Sequence, residues 1–318
     1  SNGILNMDSF KPISAKPTVG LLSSDRREKG LLGPFVQLTK PRLSMMSVAS
    51  AVFGYFSAVP EQRDTLLFLS LLVGTALAAG GAAALNQWME IKEDGLMRRT
   101  ADRPIPAGEI IPMHALVVGL LTSLTGLIIL WQGTNLHAML LTLGVLFFYL
   151  ALYTPLKKTS PLATEVGAIS GALPPLLGYV AATGSIFAES FNGWLLFAIL
   201  FAWQMPHFMA ISWMYREDYR EAGFRMLAHE KNGRGRVSRK SLFYTIFLVA
   251  LTYVTAFNGG QASLWYICLN TLLSIYILFH AARFLSDNNK EANAKSLFYA
   301  TIMYLPIFMI LFALDRYI

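Results

Sequence analysis

Cysteine is almost missing from this sequence: Cys268 stands alone inside an apolar run. That excludes a disulfide framework and a cysteine-ligated zinc cluster, and leaves a buried spectator thiol as the plain reading. Charge is scarce as well. Only 14% of the 318 residues are charged against 54% hydrophobic, a balance that does not describe a soluble domain. Acidic residues are fewer than basic ones, 19 against 26, for a formal charge of +7. The excess does not point to nucleic acid, because the basic residues fall between hydrophobic runs and are not gathered with aromatics on a soluble module. Nor is there an apolar core of signal-peptide length between residues 7 and 40, so no secretory signal is expected. Asp8, Asp25 and Glu28 count against an organellar transit segment. The six residues before Met7 read as an expression remnant.

What is present is a series of long apolar segments. Nine runs of spanning length are expected at about 43–59, 65–88, 111–131, 136–153, 162–183, 193–214, 241–257, 262–284 and 296–314. They predict an all-α polytopic membrane protein: an arm over residues 1–40 and one transmembrane domain over 41–318. Of the 26 Lys and Arg residues, all except Arg63 and Arg316 fall on one side of that arrangement. By the positive-inside rule the N-terminus is cytoplasmic or matrix-facing and the C-terminus opposite, which needs an odd number of spans. The basic side also has the long connections, whereas QGTN at 132–135 and NGGQ at 258–261 are short joints. Function therefore belongs to the basic side.

The informative stretch there is Leu85 to Ile110, LNQWMEIKEDGLMRRTADRPIPAGEI. Asn86, Glu90 and Asp94 recur every four residues, which places three oxygen-bearing side chains on one helical face at the membrane edge. Hard oxygen donors in a row suit Mg²⁺ carrying a diphosphate. Arg98, Arg99 and Arg103 follow closely and can take phosphate oxygens in forked hydrogen bonds. Glu93 lies off this face and reads as solvated. Lys157 and Lys158, after Tyr153-Thr154-Pro155, and Lys40 and Arg42 at the start of the first span either add to the phosphate field or serve only topology.

A weak internal echo marks a second half-site. Lys92-Glu93-Asp94 leaves the second span as Arg216-Glu217-Asp218 leaves the sixth, as two related four-helix halves would give. Glu217 and Asp218 are adjacent and cannot share a face, and Asp218 is the one expected to turn inward. His207 lies on a stripe with Ile211, Tyr215 and Asp218, three helical turns from that acid, so it suits a second, hydrophobic substrate better than the diphosphate. His114, His137, His229 and His280 show no ligand spacing. Pro174, Pro175 and Pro206 interrupt the fifth and sixth spans, where freed carbonyls are tolerated if protein or a cavity covers them. These helices are expected to line an interior space, with simple packing kinks as the alternative.

These residues resemble the UbiA-type intramembrane prenyltransferases, nine-helix proteins with two acidic motifs over a central cavity. Within that superfamily the resemblance is to the haem-farnesylating branch. It rests on Leu38-Thr39-Lys40-Pro41-Arg42, on Asn86 to Gly108 with its RTADRPIPAG ending, and on Tyr153-Thr154-Pro155-Leu156-Lys157. Pro206-His207-Phe208 and Arg216-Glu217-Asp218-Tyr219, followed by Ala222-Gly223 and Met226-Leu227, agree in order and spacing. Two departures from the superfamily pattern stand out: Glu90 where many members have Asp, and Tyr215 and Tyr219 where two aspartates four apart are usual.

The resemblance implies farnesyl diphosphate and haem b as substrates, haem O as product and Mg²⁺ as cofactor, held by Asn86, Glu90 and Asp94 with Glu217 and Asp218 as the second acidic pair. It implies diphosphate contacts from Arg42, Arg98, Arg99, Arg103, Lys157 and Lys158, and haem contacts from His207, Tyr215 and Tyr219. It places the chain in a bacterial cytoplasmic or mitochondrial inner membrane, with haem A synthase or other oxidase-assembly proteins as expected partners. A relative acting on a quinone precursor or chlorin is the nearest rival reading. An ion-coupled transporter is a more distant one, since every candidate acid lies at the basic-side edge and not near the midplane.

Overall fold

Long apolar runs in a bilayer must satisfy their backbone groups internally, which favours helices. The computed structural model describes residues 32–59, 64–187, 191–257 and 262–317, and has no strand among them. The N-terminal arm up to residue 31, Arg63 and the 258–261 joint lie outside the described residues.

A short α1 (Gly33–Leu38) leads into α2 (Pro41–Ser57), then α3 (Thr65–Met89) and the six-residue α4 (Ile91–Leu96). α5 (Pro112–Gly133) follows. α6 (Leu136–Leu146) then passes through a π-helical turn (Phe147–Tyr153) into the single turn α7 (Thr154–Leu156). α8 (Ala163–Thr183), α9 (Phe191–Met214), the six-residue α10 (Arg216–Glu221), α11 (Gly233–Phe257), α12 (Leu264–Arg283) and α13 (Lys290–Tyr317) complete the chain. Among the described residues, eight helices are long and apolar enough to cross a membrane. The ninth expected span, α2, has 17 residues, at the short end of the spanning range. Cys268, expected to be buried, is exposed on the surface of α12.

Successive spans pack as neighbours, and α13 returns to α2, where Phe53 and Phe312 meet edge to face at 5.6 Å. The tightest crossings depend on small residues, since lipid offers no hydrophobic drive between helices and close packing must supply the attraction. α3 and α5 touch backbone to backbone at Gly126, where a Cβ would lie 2.7 Å from the Ala78 nitrogen. α2 and α8 touch at Gly54 and Gly178, where a Cβ would lie 1.8 Å from the Pro175 oxygen and 1.7 Å from the Ala51 oxygen. Pro174 and Pro175 are therefore buried at a helix crossing. α8 continues through both of them, and the packing alternative describes them.

Two segments start earlier than the hydrophobic runs predict. α11 begins at Gly233, eight residues before the expected span, because the basic stretch GRGRVSRK continues the helix into the polar layer. α13 likewise begins at Lys290. Its buried ammonium donates to the Ser238 hydroxyl at 3.0 Å and the Phe284 carbonyl at 2.7 Å, tying three helices together. The basic-side connections also hold one another. Arg225 N–H donates to the Lys157 carbonyl at 2.8 Å, and Met97 packs with Ala222, Phe224 and Met226. Together they form the ordered cap in which the site lies.

Candidate active site

The site begins where α3 stops. Glu90 leaves helical geometry (φ −109°, ψ 22°), yet its N–H still reaches the Asn86 carbonyl and its own carbonyl receives the Asp94 N–H. The chain bends without losing register, so Asn86, Glu90 and Asp94 stay in one row. All three are buried, at 2%, 3% and 3% exposure. Two carboxylates at that depth need compensation, and each has a cation. Asp94 receives the Arg103 guanidinium on both oxygens at 2.6 Å, and Glu90 pairs with Lys157. Lys40 donates to Asn86 Oδ1 at 3.0 Å.

Each cation is placed by identifiable local chemistry. Lys40 precedes Pro41, which disfavours the right-handed helical region there. It takes a left-handed conformation (φ 46°, ψ 62°) and turns back toward α3. Arg103 sits in a loop closed by bonds from Arg103 N–H to Thr100 and from Ile110 N–H to Pro104, with Ile105 and Ile110 buried against Leu38 and Ala84. Lys157 follows the π-helical turn. Pro155 has no N–H to give the preceding turn, and a widened turn accommodates it. That turn stacks Tyr149 on Tyr153 at 5.6 Å and puts the Lys157 ammonium 4.7 Å over the Tyr153 ring and 5.0 Å over Phe224. It also presents Thr154, whose hydroxyl donates to the Tyr149 carbonyl and accepts from Asn86 Nδ2 at 3.1 Å. The amide of Asn86 is thereby fixed with its oxygen turned to the cation side.

The two buried lysines differ. Burial works to strip both of their protons. At Lys157 the neighbouring Tyr153 and Glu90 outweigh it, and its pKa lies above the ordinary lysine value. Lys40 bonds to a neutral amide, and burial, followed by the charge of Arg103, pushes it down to about 7. A diphosphate bound beside Lys40 would restore that proton, so above pH 7 binding should take up a proton there and the affinity should weaken by up to about tenfold per pH unit. Calorimetry with Mg-pyrophosphate between pH 6.5 and 8.5 checks this: the affinity should fall in the wild type, and the Lys40 contribution should vanish in Lys40→Arg.

The remaining predicted residues separate into groups. Lys158 pairs with Glu93 at 2.6 Å, so Glu93 is engaged and not merely solvated, and that pairing, by way of the Lys158 hydrogen bond, lowers its pKa against the opposing effect of burial. Arg98 and Arg99 are exposed on the cap, with Arg99 5.4 Å over the Tyr215 ring. Arg42 is exposed and makes none of these contacts; Lys40 stands in its place. In the second half-site Glu217 faces solvent and pairs with Arg220, and Asp218 lies beside the inward row of Tyr215 and Tyr219. Tyr219 lines a narrow space of about 40 Å³ with Tyr153, Lys157, Phe208 and Ile211, and burial raises its pKa. By backbone register Tyr219 stands where Asp94 stands, one residue off the echo in sequence, and the half-buried Asp218 stands where Glu93 stands. His207 is half-buried about two turns before Tyr215, stacked between Trp203 and Phe298. Its Nδ1 lies 2.8 Å from the Thr301 hydroxyl, which already donates to the Phe298 carbonyl at 2.6 Å. Thr301 therefore accepts, and His207 carries its lone pair on Nε2. Thr154, Tyr149 and Phe224 complete the site and carry no charge that a search for acids and bases would notice.

Among the described residues no three His, Cys, Asp or Glu side chains converge as a metal cluster. Mg²⁺ does not require one: it is commonly held by one or two carboxylates with the other positions taken by water and substrate phosphate. Glu90, Asp94 and the fixed Asn86 oxygen meet that need.

The UbiA prenyltransferase family model matches residues 47–303. The chain belongs to this family. It is 41% identical over 282 residues to the protoheme IX farnesyltransferase of Opitutus terrae, covering 89% of this chain and 94% of that one. It is 36% identical to the mitochondrial protoheme IX farnesyltransferase of Arabidopsis thaliana, over 86% and 62% of the two chains. The fold is shared with a membrane digeranylgeranylglyceryl phosphate synthase at TM-score 0.76 and 17% identity, covering 90% and 98%. It is also shared with a UbiA homolog from Archaeoglobus fulgidus bound to DMAPP and Mg²⁺, at 0.59 and 14%, covering 87% and 99%. As a UbiA prenyltransferase, this chain is an integral membrane enzyme.

Proposed function

We propose that this chain transfers the farnesyl group of farnesyl diphosphate to a vinyl group of haem b, with addition of water and release of diphosphate, forming haem O. The observation that carries the reading is the buried Asn86–Glu90–Asp94 row with Lys40, Arg103 and Lys157 closed around it. The protoheme IX farnesyltransferase relatives support the choice of substrates.

Mg²⁺ held by Asn86, Glu90 and Asp94 would supply Lewis-acid stabilisation of the leaving diphosphate. Lys157 and Arg103, which pair with Glu90 and Asp94, and Lys40, which donates to Asn86, would be available to the diphosphate oxygens once those groups held the metal, with Arg98 and Arg99 on the cap above. Cations fixed in a buried site stabilise charge as it develops on the leaving group. The bond from farnesyl C1 to oxygen breaks, the terminal vinyl carbon bonds to C1, and water adds at the inner vinyl carbon with loss of a proton. Phe208, Ile211, Tyr153 and Tyr219 line a narrow space beside Lys157 and would shield the allylic carbon from bulk water.

The haem contact we assign to His207, whose Nε2 lone pair is free for iron. His207→Ala should weaken the apparent affinity for haem at least tenfold and leave farnesyl diphosphate affinity unchanged; equal haem affinity in the two proteins would end this assignment. The membrane is an inner membrane with the basic cap on its cytoplasmic or matrix side, and residues 41–318 act as one domain. The overall reading is tested by incubating purified protein with farnesyl diphosphate, Mg²⁺ and both acceptors, haem b and a quinone precursor, and weighing the products. Hydroxyethylfarnesyl haem is expected, whereas untouched haem beside a prenylated quinone precursor would assign the enzyme to the other acceptor.

A further inference from the structure

We infer that the site binds one divalent cation, and that Lys157 and Arg99, each resting on an aromatic ring, provide the positive charge on the opposite flank of the diphosphate. This rests on the metal-diphosphate reading and adds its stoichiometry. The corners α3–α4 and α9–α10 have the same local structure. Glu90 has φ −109° and ψ 22°, Tyr215 has φ −111° and ψ 23°, and each is followed by a six-residue helix. The bridging bonds match: Glu90 N–H to Asn86 O at 3.0 Å and Asp94 N–H to Glu90 O at 2.8 Å, against Tyr215 N–H to Ile211 O at 3.0 Å and Tyr219 N–H to Tyr215 O at 3.1 Å. Asn86, Glu90 and Asp94 therefore correspond to Ile211, Tyr215 and Tyr219.

The first corner offers a hard cation three oxygens. The second offers an aliphatic side chain and two neutral phenols, a poor set for Mg²⁺. Its acids do not compensate: Glu217 is turned to solvent beside Arg220, and Asp218 stands where Glu93 stands, beside the row. Cations are found there instead. The Arg99 guanidinium lies over Tyr215, and the Lys157 ammonium lies over Phe224, which packs on Tyr219 at 6.2 Å. A ring face holds a cation without neutralising it, so Arg99 over Tyr215 keeps its charge available to phosphate, and Lys157, which pairs with Glu90 in this structure, would add its own where a metal ion took that carboxylate.

The test uses purified full-length protein in detergent, pyrophosphate, and Mn²⁺ counted by the paramagnetic resonance of the free ion. One Mn²⁺ per chain is expected. Two would overturn the inference and leave the metal-diphosphate reading standing, whereas none would overturn both. Tyr215→Asp combined with Tyr219→Asp should raise the count to two. A count of one, in a variant that elutes and melts like the wild type, would overturn the equivalence of the corners. Arg99→Gln and Lys157→Gln should each weaken pyrophosphate binding about tenfold with the Mn²⁺ count unchanged, and unaltered affinity would remove both from this role.

Discussion

Glu90→Gln should lower farnesyl transfer by about three orders of magnitude while the protein remains folded. Glutamine has nearly the same volume and can still accept a hydrogen bond from Lys157, so the local packing survives. What is lost is the charge. The carboxylate is the central member of the donor row, between Asn86 one turn earlier and Asp94 one turn later, and it alone is paired with the best-supported lysine of the site. Without it a metal ion keeps one carboxylate in a buried site, and Lys157 keeps its proton with less help. Asp94→Asn should act in the same direction, because Arg103 is held by both oxygens of that one carboxylate. Haem product measured by mass, alongside elution volume and melting temperature, separates loss of chemistry from loss of fold. Turnover within about tenfold of wild type in either variant would remove that residue from the metal site.

Gly178→Val should prevent accumulation of folded protein. A Cβ at this position would stand 1.7 Å from the Ala51 carbonyl oxygen, and a backbone atom cannot rotate away as a side-chain tip can. α2 must then separate from α8, and α2 begins with the left-handed Lys40 that reaches Asn86. Overpacking inside a core typically costs about 1–3 kcal/mol, and a backbone clash of this depth belongs above that range. Gly144→Ala is the matched control, since a Cβ there meets only the Leu173 side chain at 3.8 Å. In detergent extracts the first variant should run as aggregate and the second as wild type. A monodisperse, active Gly178→Val protein would show that the α2–α8 crossing is looser than described.

The spacing of Asn86, Glu90 and Asp94 was legible from the chain because side chains four apart share a helix face, and the bend at Glu90 preserves that register. The spans were legible because apolar length is dictated by the bilayer. Partners were not. Nothing in the order of residues says that Lys40 turns inward while Arg42, two positions on, stays in solvent. The reason is the left-handed conformation that the backbone takes at Lys40. Thr154 and the stacked tyrosines depend on a π-helical turn, and apolar periodicity does not distinguish that turn from an ordinary helix. In the second half-site, the similarity of Lys92-Glu93-Asp94 to Arg216-Glu217-Asp218 suggested a register that the backbone moves by one residue. Tyr219 stands where Asp94 stands, and Asp218 stands where Glu93 stands.

The most direct measurement is an experimental structure of the protein with Mg²⁺ and a non-cleavable thiolodiphosphate analogue of farnesyl diphosphate. The account predicts a cation about 2.0–2.1 Å from oxygens of Asn86, Glu90 and Asp94, with Lys157 and Arg103 moved from the acids onto the diphosphate. A diphosphate bound elsewhere, with Glu90 still paired to Lys157 and Asp94 to Arg103, would contradict it.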